Sequence, residues 1–284
     1  MKVYIDGAYY EREDAKISVF DHGLLYGDGV FEGIRIYHGR VFRLAEHLER
    51  LYRSAAAIAL EIPLTPAEME SAVRAAVAAN ARGEGYIRLV VTRGEGNLGL
   101  NPLQCPRASV IIIVDDIQLY PEENYHRGIA IIIASLRRVP ADSLDPRIKS
   151  LNYLNNILAK TEALRAGCLE AVLLNHDGMV AECTGDNIFI VRNGELLTPS
   201  PAHGALEGIT RNAVLELARG RAVPAREAAL TPYDLYTADE CFLTGTGAEI
   251  MPVVKIDGRA VGTGTPGVFT GRMLSAFHEL IARG

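Results

Sequence analysis

Hydrophobic and polar residues alternate from Lys2 to Tyr10 (KVYIDGAYY) around the pair Asp6-Gly7, which predicts a hairpin. FEGIRIY, the pair His38-Gly39 and VFRL read as two further strands joined by a turn. The period then changes. Leu44, Leu48, Leu51 and Ala55 recur at helical spacing and predict a helix over 43–60, with His47 and Arg50 one turn apart on what composition reads as a charged outer face. Thr65-Pro66-Ala67-Glu68 is a capping-box start for a helix ending near Asn80. YIRLVVT, residues 86–92, alternates again with Tyr86, Arg88 and Val90 on one face, and SVIIIVDD supplies another apolar strand.

A polar segment, 118–127, interrupts this pattern at Pro121 and marks the domain boundary: residues 1–118, a connecting loop 119–127, and residues 128–284. Beyond it GIAIIIASLRR predicts a buried strand. Leu154, Ile157, Leu158, Thr161 and Leu164 then recur as an amphipathic helical run just after Lys149. AVLLN, the turn His176-Asp177-Gly178 and MVAECTGDNIFIV form a second hairpin, with Glu182 in its returning strand. Residues 208–219 predict a helix opened by Gly208-Ile209-Thr210 and stopped by Gly220. Thr231-Pro232-Tyr233-Asp234 caps a short helical turn, and ECFLTGTGAEIMPVVKIDG brings a strand into the turn Gly245-Thr246-Gly247 and out again. A final amphipathic helix follows Pro266.

Composition narrows the function classes. At 284 residues, 49% hydrophobic and 23% charged, the chain is that of an ordinary globular protein with room for two domains. A net charge of -6 offers no basic field for nucleic acid, and no apolar run is long enough for a bilayer. No cationic start followed by an apolar stretch suggests a signal peptide. Cys105, Cys168, Cys183 and Cys241 are scattered without metal-ligand spacing, so neither structural metal nor a disulfide scaffold is expected and the cytosol is the expected compartment. Gly27, Gly29 and Gly33 form GxGxxxG, which is not the dinucleotide fingerprint.

The candidate chemistry begins with an amine. The chain holds only five lysines, Lys2, Lys16, Lys149, Lys160 and Lys255, and arginine stays protonated at working pH. Lys149 ends the extended approach VPADSLDPRI, with Tyr153 four residues on; taken alone, the position also suits a solvated helix-start lysine. Arg88 in its apolar strand either pairs with an internal carboxylate or receives one from a ligand. The start of the 208–219 helix, with the Thr210 hydroxyl, is a ready anion site. An amine, the strand carboxylate Glu182, this helix start, the Gly-Thr-Gly turn and Arg50 together match what pyridoxal phosphate requires, a list that composition and periodicity alone do not assemble and that the following resemblance does.

The strings YGDGVFEGIRIY, FRLAEHLERL, YIR, KSLNYLNNILAK, ECTGDNIF, LEGITR and GTGAEI follow one another in this order over nearly the whole chain. In them the sequence resembles the class IV (fold-type IV) aminotransferases, most of all those acting on branched-chain amino acids. The resemblance implies an α+β fold of two domains, a smaller N-terminal sandwich and a larger C-terminal pseudo-barrel, with pyridoxal 5'-phosphate as cofactor. It implies that Lys149 forms the Schiff base and then moves the substrate proton, that Tyr153 bonds the cofactor's phenolate oxygen, and that Glu182 pairs with the pyridine nitrogen. Arg50, Ile209, Thr210 and Thr246 would hold the phosphate, and Leu206 would pack on the ring. Tyr26, Phe31, Gly33, Tyr86 and Arg88 would line the substrate side, with the amides of Thr246 and Gly247 on the α-carboxylate. The implied partners are small amino acids and 2-oxo acids, leucine, isoleucine and valine against 2-oxoglutarate, in a homodimer or higher homo-oligomer. A D-amino acid aminotransferase is the nearest alternative, although RGEGNLGLNP lacks that family's arginine-x-histidine clamp. An aminodeoxychorismate lyase and a non-catalytic cofactor-binding protein are further ones.

Overall fold

The N-terminal alternation builds one antiparallel sheet. In this computed structural model, which describes residues 1–117 and 119–283, its strands are β1 (Lys2–Ile5), β2 (Ala8–Glu11), β3 (Gly29–Tyr37), β4 (Arg40–Val41), β5 (Gly85–Thr92) and β6 (Ser109–Asp115). They lie in the order β2-β1-β6-β5-β3-β4. Three helices accompany them: α1 (His22–Tyr26), α2 (Leu44–Ala57) and α3 (Pro66–Asn80). Ile34 and Ile36 of β3, Ile87, Leu89 and Val91 of β5 and Ile112 of β6 face Leu48 and Leu51 of α2 and Met69 and Val73 of α3 in one core. Each such side chain contributes about 1.5–3 kcal/mol when taken out of water.

The predicted capping box at Thr65 and Glu68 is present. The helix expected over 43–60 is shorter, because Arg43 adopts a left-handed φ of 48° before it and Ala59 one of 50° after it. His47 and Arg50 do not form its solvated face. Both turn inward, because the strand beneath carries a buried carboxylate, Glu32, that has to be paired. Helix α1 was not expected; Asp21 opens it by accepting from the Gly23 amide at 2.7 Å.

The chain divides into two compact units: Met1–Ile117 with Ile148–Asn152, and the described residues of Gln118–Arg147 with Tyr153–Gly284. A single division at 118–127 makes no provision for the return of Ile148–Asn152 to the first unit; Gln118 itself lies outside the described residues. The Leu151 amide donates to the Gly29 carbonyl (2.9 Å) and the Phe31 amide to the Lys149 carbonyl (3.0 Å), so this segment pairs with β3 where β4 does not reach.

The second unit contains α4 (Glu123–Arg127), β7 (Ile129–Arg137), α5 (Leu154–Arg165), β8 (Glu170–Leu174), β9 (Val180–Cys183), β10 (Asn187–Arg192), β11 (Glu195–Thr198) and α6 (Ile209–Gly220). β12 (Ala225–Glu227), α7 (Pro232–Tyr236), β13 (Glu240–Gly245), β14 (Glu249–Ile256), β15 (Arg259–Ala260) and α8 (Val268–Arg283) complete it. Its nine-stranded sheet runs β12-β11-β10-β13-β14-β7-β8-β9, with β15 against β14. Gly220 is the last residue of α6 rather than its stop, and the chain leaves through Ala222 at φ 54°.

α5 has the predicted period but the opposite phase. Leu154, Ile157, Leu158 and Leu164 are 61%, 57%, 46% and 58% exposed. Ala159 and Ala163 instead meet Ala134, Ala171 and Leu173 of the sheet. Small side chains let helix and sheet approach closely, and Asn156 is buried beside them because its amide finds hydrogen-bond partners. Among the described residues no helix is long and apolar enough to cross a membrane.

Candidate active site

Lys149 is held by its backbone. Besides accepting from Phe31, it donates its amide to the buried Ser54 hydroxyl of α2 at 3.1 Å. Its Nζ stands 4.4 Å from the centre of the Phe31 ring. Phe31, Gly33 and Arg35 lie opposite Val90, Arg88 and Tyr86 in the β3–β5 register, so all six share the sheet face turned away from α2 and α3. On this face the Arg88 guanidinium lies 4.7 Å from the Phe31 ring centre and 5.4 Å from that of Tyr86. Among the described residues it meets no carboxylate, so the internal-pair reading of Arg88 does not hold. A Cβ at residue 33 would stand 1.8 Å from the Tyr86 hydroxyl; glycine there gives the phenol its place.

One residue out of phase, Glu32 points the other way, into the helices, and is fully buried. Arg50 grips it with a fork, Nε to Oε1 at 2.7 Å and Nη2 to Oε2 at 2.8 Å, and His47 Nδ1 approaches Oε2 at 2.7 Å. Burial alone would raise the Glu32 pKa, but Arg50 and then His47 outweigh it and hold the carboxyl well below its usual range. His47 is shifted down, chiefly by burial and against the pull of Glu32.

The second unit builds its own polar cluster around Glu182 on β9, which is 6% exposed. Arg138, just past β7, lies 2.8 Å from Oε1, and the Leu206 amide donates to Oε2 at 2.9 Å. Asn187 donates to the Leu206 carbonyl at 2.8 Å. A Cβ at residue 208 would stand 1.9 Å from Asn187 Oδ1, so only glycine lets the chain pass into α6 there. α6 opens without a capping side chain, and Thr210 in its first turn is buried. Thr246 and Gly247 form the turn between β13 and β14. On the neighbouring β9–β10 turn, burial and then the charge of Glu170 push the Asp186 pKa up to about 7. Tyr120 donates to Asp186 Oδ2 at 3.2 Å.

Known proteins resemble this chain over nearly its whole length. The family model described as Amino-transferase class IV matches residues 29–256. The chain belongs to the class IV aminotransferases. A Methanocaldococcus jannaschii protein named only provisionally as a branched-chain-amino-acid aminotransferase is 50% identical over 280 residues, 99% of this chain and 96% of that one. A D-alanine aminotransferase of Bacillus licheniformis is 37% identical over 288 residues, 99% and 97%. Among solved structures, the Escherichia coli branched-chain amino acid aminotransferase superposes with a TM-score of 0.96 at 36% identity, covering 99% of this chain and 94% of its own. The branched-chain enzyme of Thermoproteus uzoniensis, solved with norvaline, gives 0.93 at 39%, covering 99% and 94%. The fold is accordingly the α+β, two-domain fold-type IV arrangement.

In this aminotransferase the predicted site residues fall into sets within each unit. Phe31, Gly33, Tyr86, Arg88 and Lys149 share one neighbourhood in the first unit. In the second, Glu182 and Leu206 are directly bonded, Ile209 and Thr210 open α6, and Tyr153 immediately precedes α5. Tyr26 ends α1 with its hydroxyl on the Leu98 carbonyl at 2.6 Å. Arg138, Glu32, Ser54 and Asn187 were missed by sequence reasoning. Glu32 did carry a signal: a carboxylate at an inward position of an apolar strand needs a buried cation. Arg138 carried a weaker one, as an arginine closing the apolar run GIAIIIASLRR.

Proposed function

We propose that the protein transfers the amino group of branched-chain L-amino acids (leucine, isoleucine, valine) to 2-oxoglutarate by a ping-pong mechanism, with pyridoxal 5'-phosphate as cofactor. The residues present suit that group. A buried carboxylate, Glu182, is held by the Leu206 amide and Arg138; α6 opens on Gly208 with no side-chain cap hydrogen bond and a buried Thr210 hydroxyl; and Lys149 Nζ rests on an aromatic face. When bound, the cofactor supplies an electron sink for the electrons left when the α-proton departs.

In this reading Lys149 binds the cofactor covalently and afterwards carries the proton at the substrate α-carbon. Glu182 faces the ring nitrogen, and Tyr153 hydrogen-bonds the phenolate oxygen. Arg50, Ile209, Thr210 and Thr246 hold the phosphate, and Leu206 packs against the ring. The Thr246 and Gly247 amides orient the α-carboxylate, while Tyr26, Phe31, Gly33 and Tyr86 receive the side chain.

The observation that carries the substrate assignment is Arg88, whose guanidinium lies over the Phe31 and Tyr86 rings and without a carboxylate of the protein among the described residues. Such a group pairs with the distal carboxylate of glutamate in one half-reaction. In the other it offers its apolar stem to an aliphatic side chain. The exposed leucines of α5, with Leu98, Leu100 and Leu103, support a homodimer or higher homo-oligomer, which sedimentation velocity tests.

Treatment with borohydride should leave a pyridoxyl label on the native protein and none on Lys149→Ala. Parallel assays with L-leucine and with D-alanine, each with 2-oxoglutarate, and with aminodeoxychorismate should show leucine turned over best. A label that persists in the variant, or preferred turnover of either of the other compounds, overturns the assignment.

A further inference from the structure

The Arg138 guanidinium touches Glu182, and its surroundings fix it from several sides. Its backbone amide donates to the Leu174 carbonyl at 2.8 Å, and its side chain is 8% exposed. Nε donates to the Gly204 carbonyl at 3.3 Å, and Nη1 to Asn156 Oδ1 at 2.8 Å and Asn155 Oδ1 at 3.5 Å. Asn156 is anchored in turn by donating to the Thr184 carbonyl at 2.8 Å. Only then does Nη2 reach Glu182 Oε1, at 2.8 Å, while the Leu206 amide takes Oε2. A flexible four-bond side chain is thus immobilised for a single carboxylate.

Resting on the cofactor reading above, we infer that Arg138 is a positioning residue that decides which side of the hydrogen bond between Glu182 and the cofactor's ring nitrogen keeps the proton. A buried carboxylate facing a protonated pyridine has two alternatives: carboxylate with pyridinium, or carboxylic acid with neutral pyridine. In a dry site the neutral pair is favoured, because neither charge is solvated. A guanidinium in direct contact with the carboxylate reverses this. Its attraction to the anion falls as 1/r, so it acts more strongly on the group it touches than on a cation beyond that group. The proton then stays on nitrogen, and the ring keeps its ability to draw electrons. Without Arg138 the proton moves from the ring nitrogen to a Glu182 oxygen, and no charge is left on either. Among the described residues, the buried Asp186 and Cys183 also feel the charge of Glu182; Asp186 is pushed up to about 7, and in its ionised form it opposes Arg138.

The test is the ring-nitrogen resonance of 15N-labelled pyridoxal phosphate bound to the full chain, which separates pyridinium from hydrogen-bonded neutral pyridine. Native protein and Arg138→Lys should give the pyridinium position. Arg138→Met should give the neutral position, with kcat for leucine down about 100-fold and the label still bound. Arg138→Gln keeps a hydrogen-bonding head for Asn156 and carries the same expectation where the apolar variant does not fold. Adding Glu182→Gln to either neutral variant should produce no further loss of kcat. A pyridinium resonance in both Arg138→Met and Arg138→Gln overturns the inference and leaves the cofactor reading intact. A native protein that gives no bound resonance overturns both.

Discussion

Gly33 and Tyr86 occupy a space that only one of them can fill: a Cβ on the first would lie 1.8 Å from the hydroxyl of the second. The conflict is with the far end of a side chain, so it is relieved by rotation of the phenol rather than by movement of the sheet. Gly33→Ala should therefore leave the melting temperature nearly unchanged and lower kcat/KM for leucine about tenfold, roughly 1.4 kcal/mol of transition-state stabilisation. In a Tyr86→Ala background the same change should have little further effect, because the two residues act through one another. Additive losses would contradict this account.

Arg88→Ala should separate the two half-reactions. A charge-assisted hydrogen bond is worth about 1.5–3 kcal/mol, so kcat/KM for 2-oxoglutarate should fall about 100-fold. That for leucine, which uses only the stem of the side chain, should fall less than about tenfold. Equal losses for both substrates would remove Arg88 from carboxylate recognition.

Glu32→Gln should destabilise the protein by about 3–5 kcal/mol, because it removes the charge of the buried carboxylate that the Arg50 fork grips. The native pair also has a pH signature. A carboxyl whose pKa is depressed on folding contributes stability above its unfolded value, and that contribution is lost as the pH falls. Urea midpoints of native protein should drop between about pH 5 and pH 3, and those of the variant should drop less. Parallel slopes would show that Glu32 is not the group responsible.

Asp186 has the opposite sign. Burial and Glu170 raise its pKa to about 7, so the folded state holds a proton that the unfolded chain releases near the usual aspartate value. Its contribution is fully favourable below that value and is lost as the pH rises through about 7. Asp186→Asn keeps an acceptor for Tyr120 and removes the charge; it should be more stable than native protein at pH 8 and indistinguishable at pH 4. Each kcal/mol gained raises the melting temperature by about 2–4 °C. A variant less stable than native at pH 8 would assign the carboxylate a favourable partner instead.

The strands of both units were legible because alternation is a local property, and the β3–β5 register then follows from which face must be dry. The phase of α5 was not. Its leucines are as periodic as a buried stripe, but Ala159 and Ala163 pack more closely against Ala171, and close approach is a property of the partner surface rather than of the helix. The same reason hid the charge network. Glu32 with Arg50, and Arg138 with Glu182, are pairs made across separate elements, so each member alone reads as a surface charge. The amine and the ring-facing carboxylate were reached through the resemblance, since neither position is unusual by composition.

Residues 148–151 complete the edge of β3, although more than two dozen residues of the other unit come between them and Ile117. During synthesis, then, the N-terminal unit must wait for that later segment with Gly29–Phe31 lacking one neighbour, a template for pairing with other nascent chains. The lysine is delivered by the same stroke that closes this edge, so a chain that stalls before it is at once unfinished and without its amine.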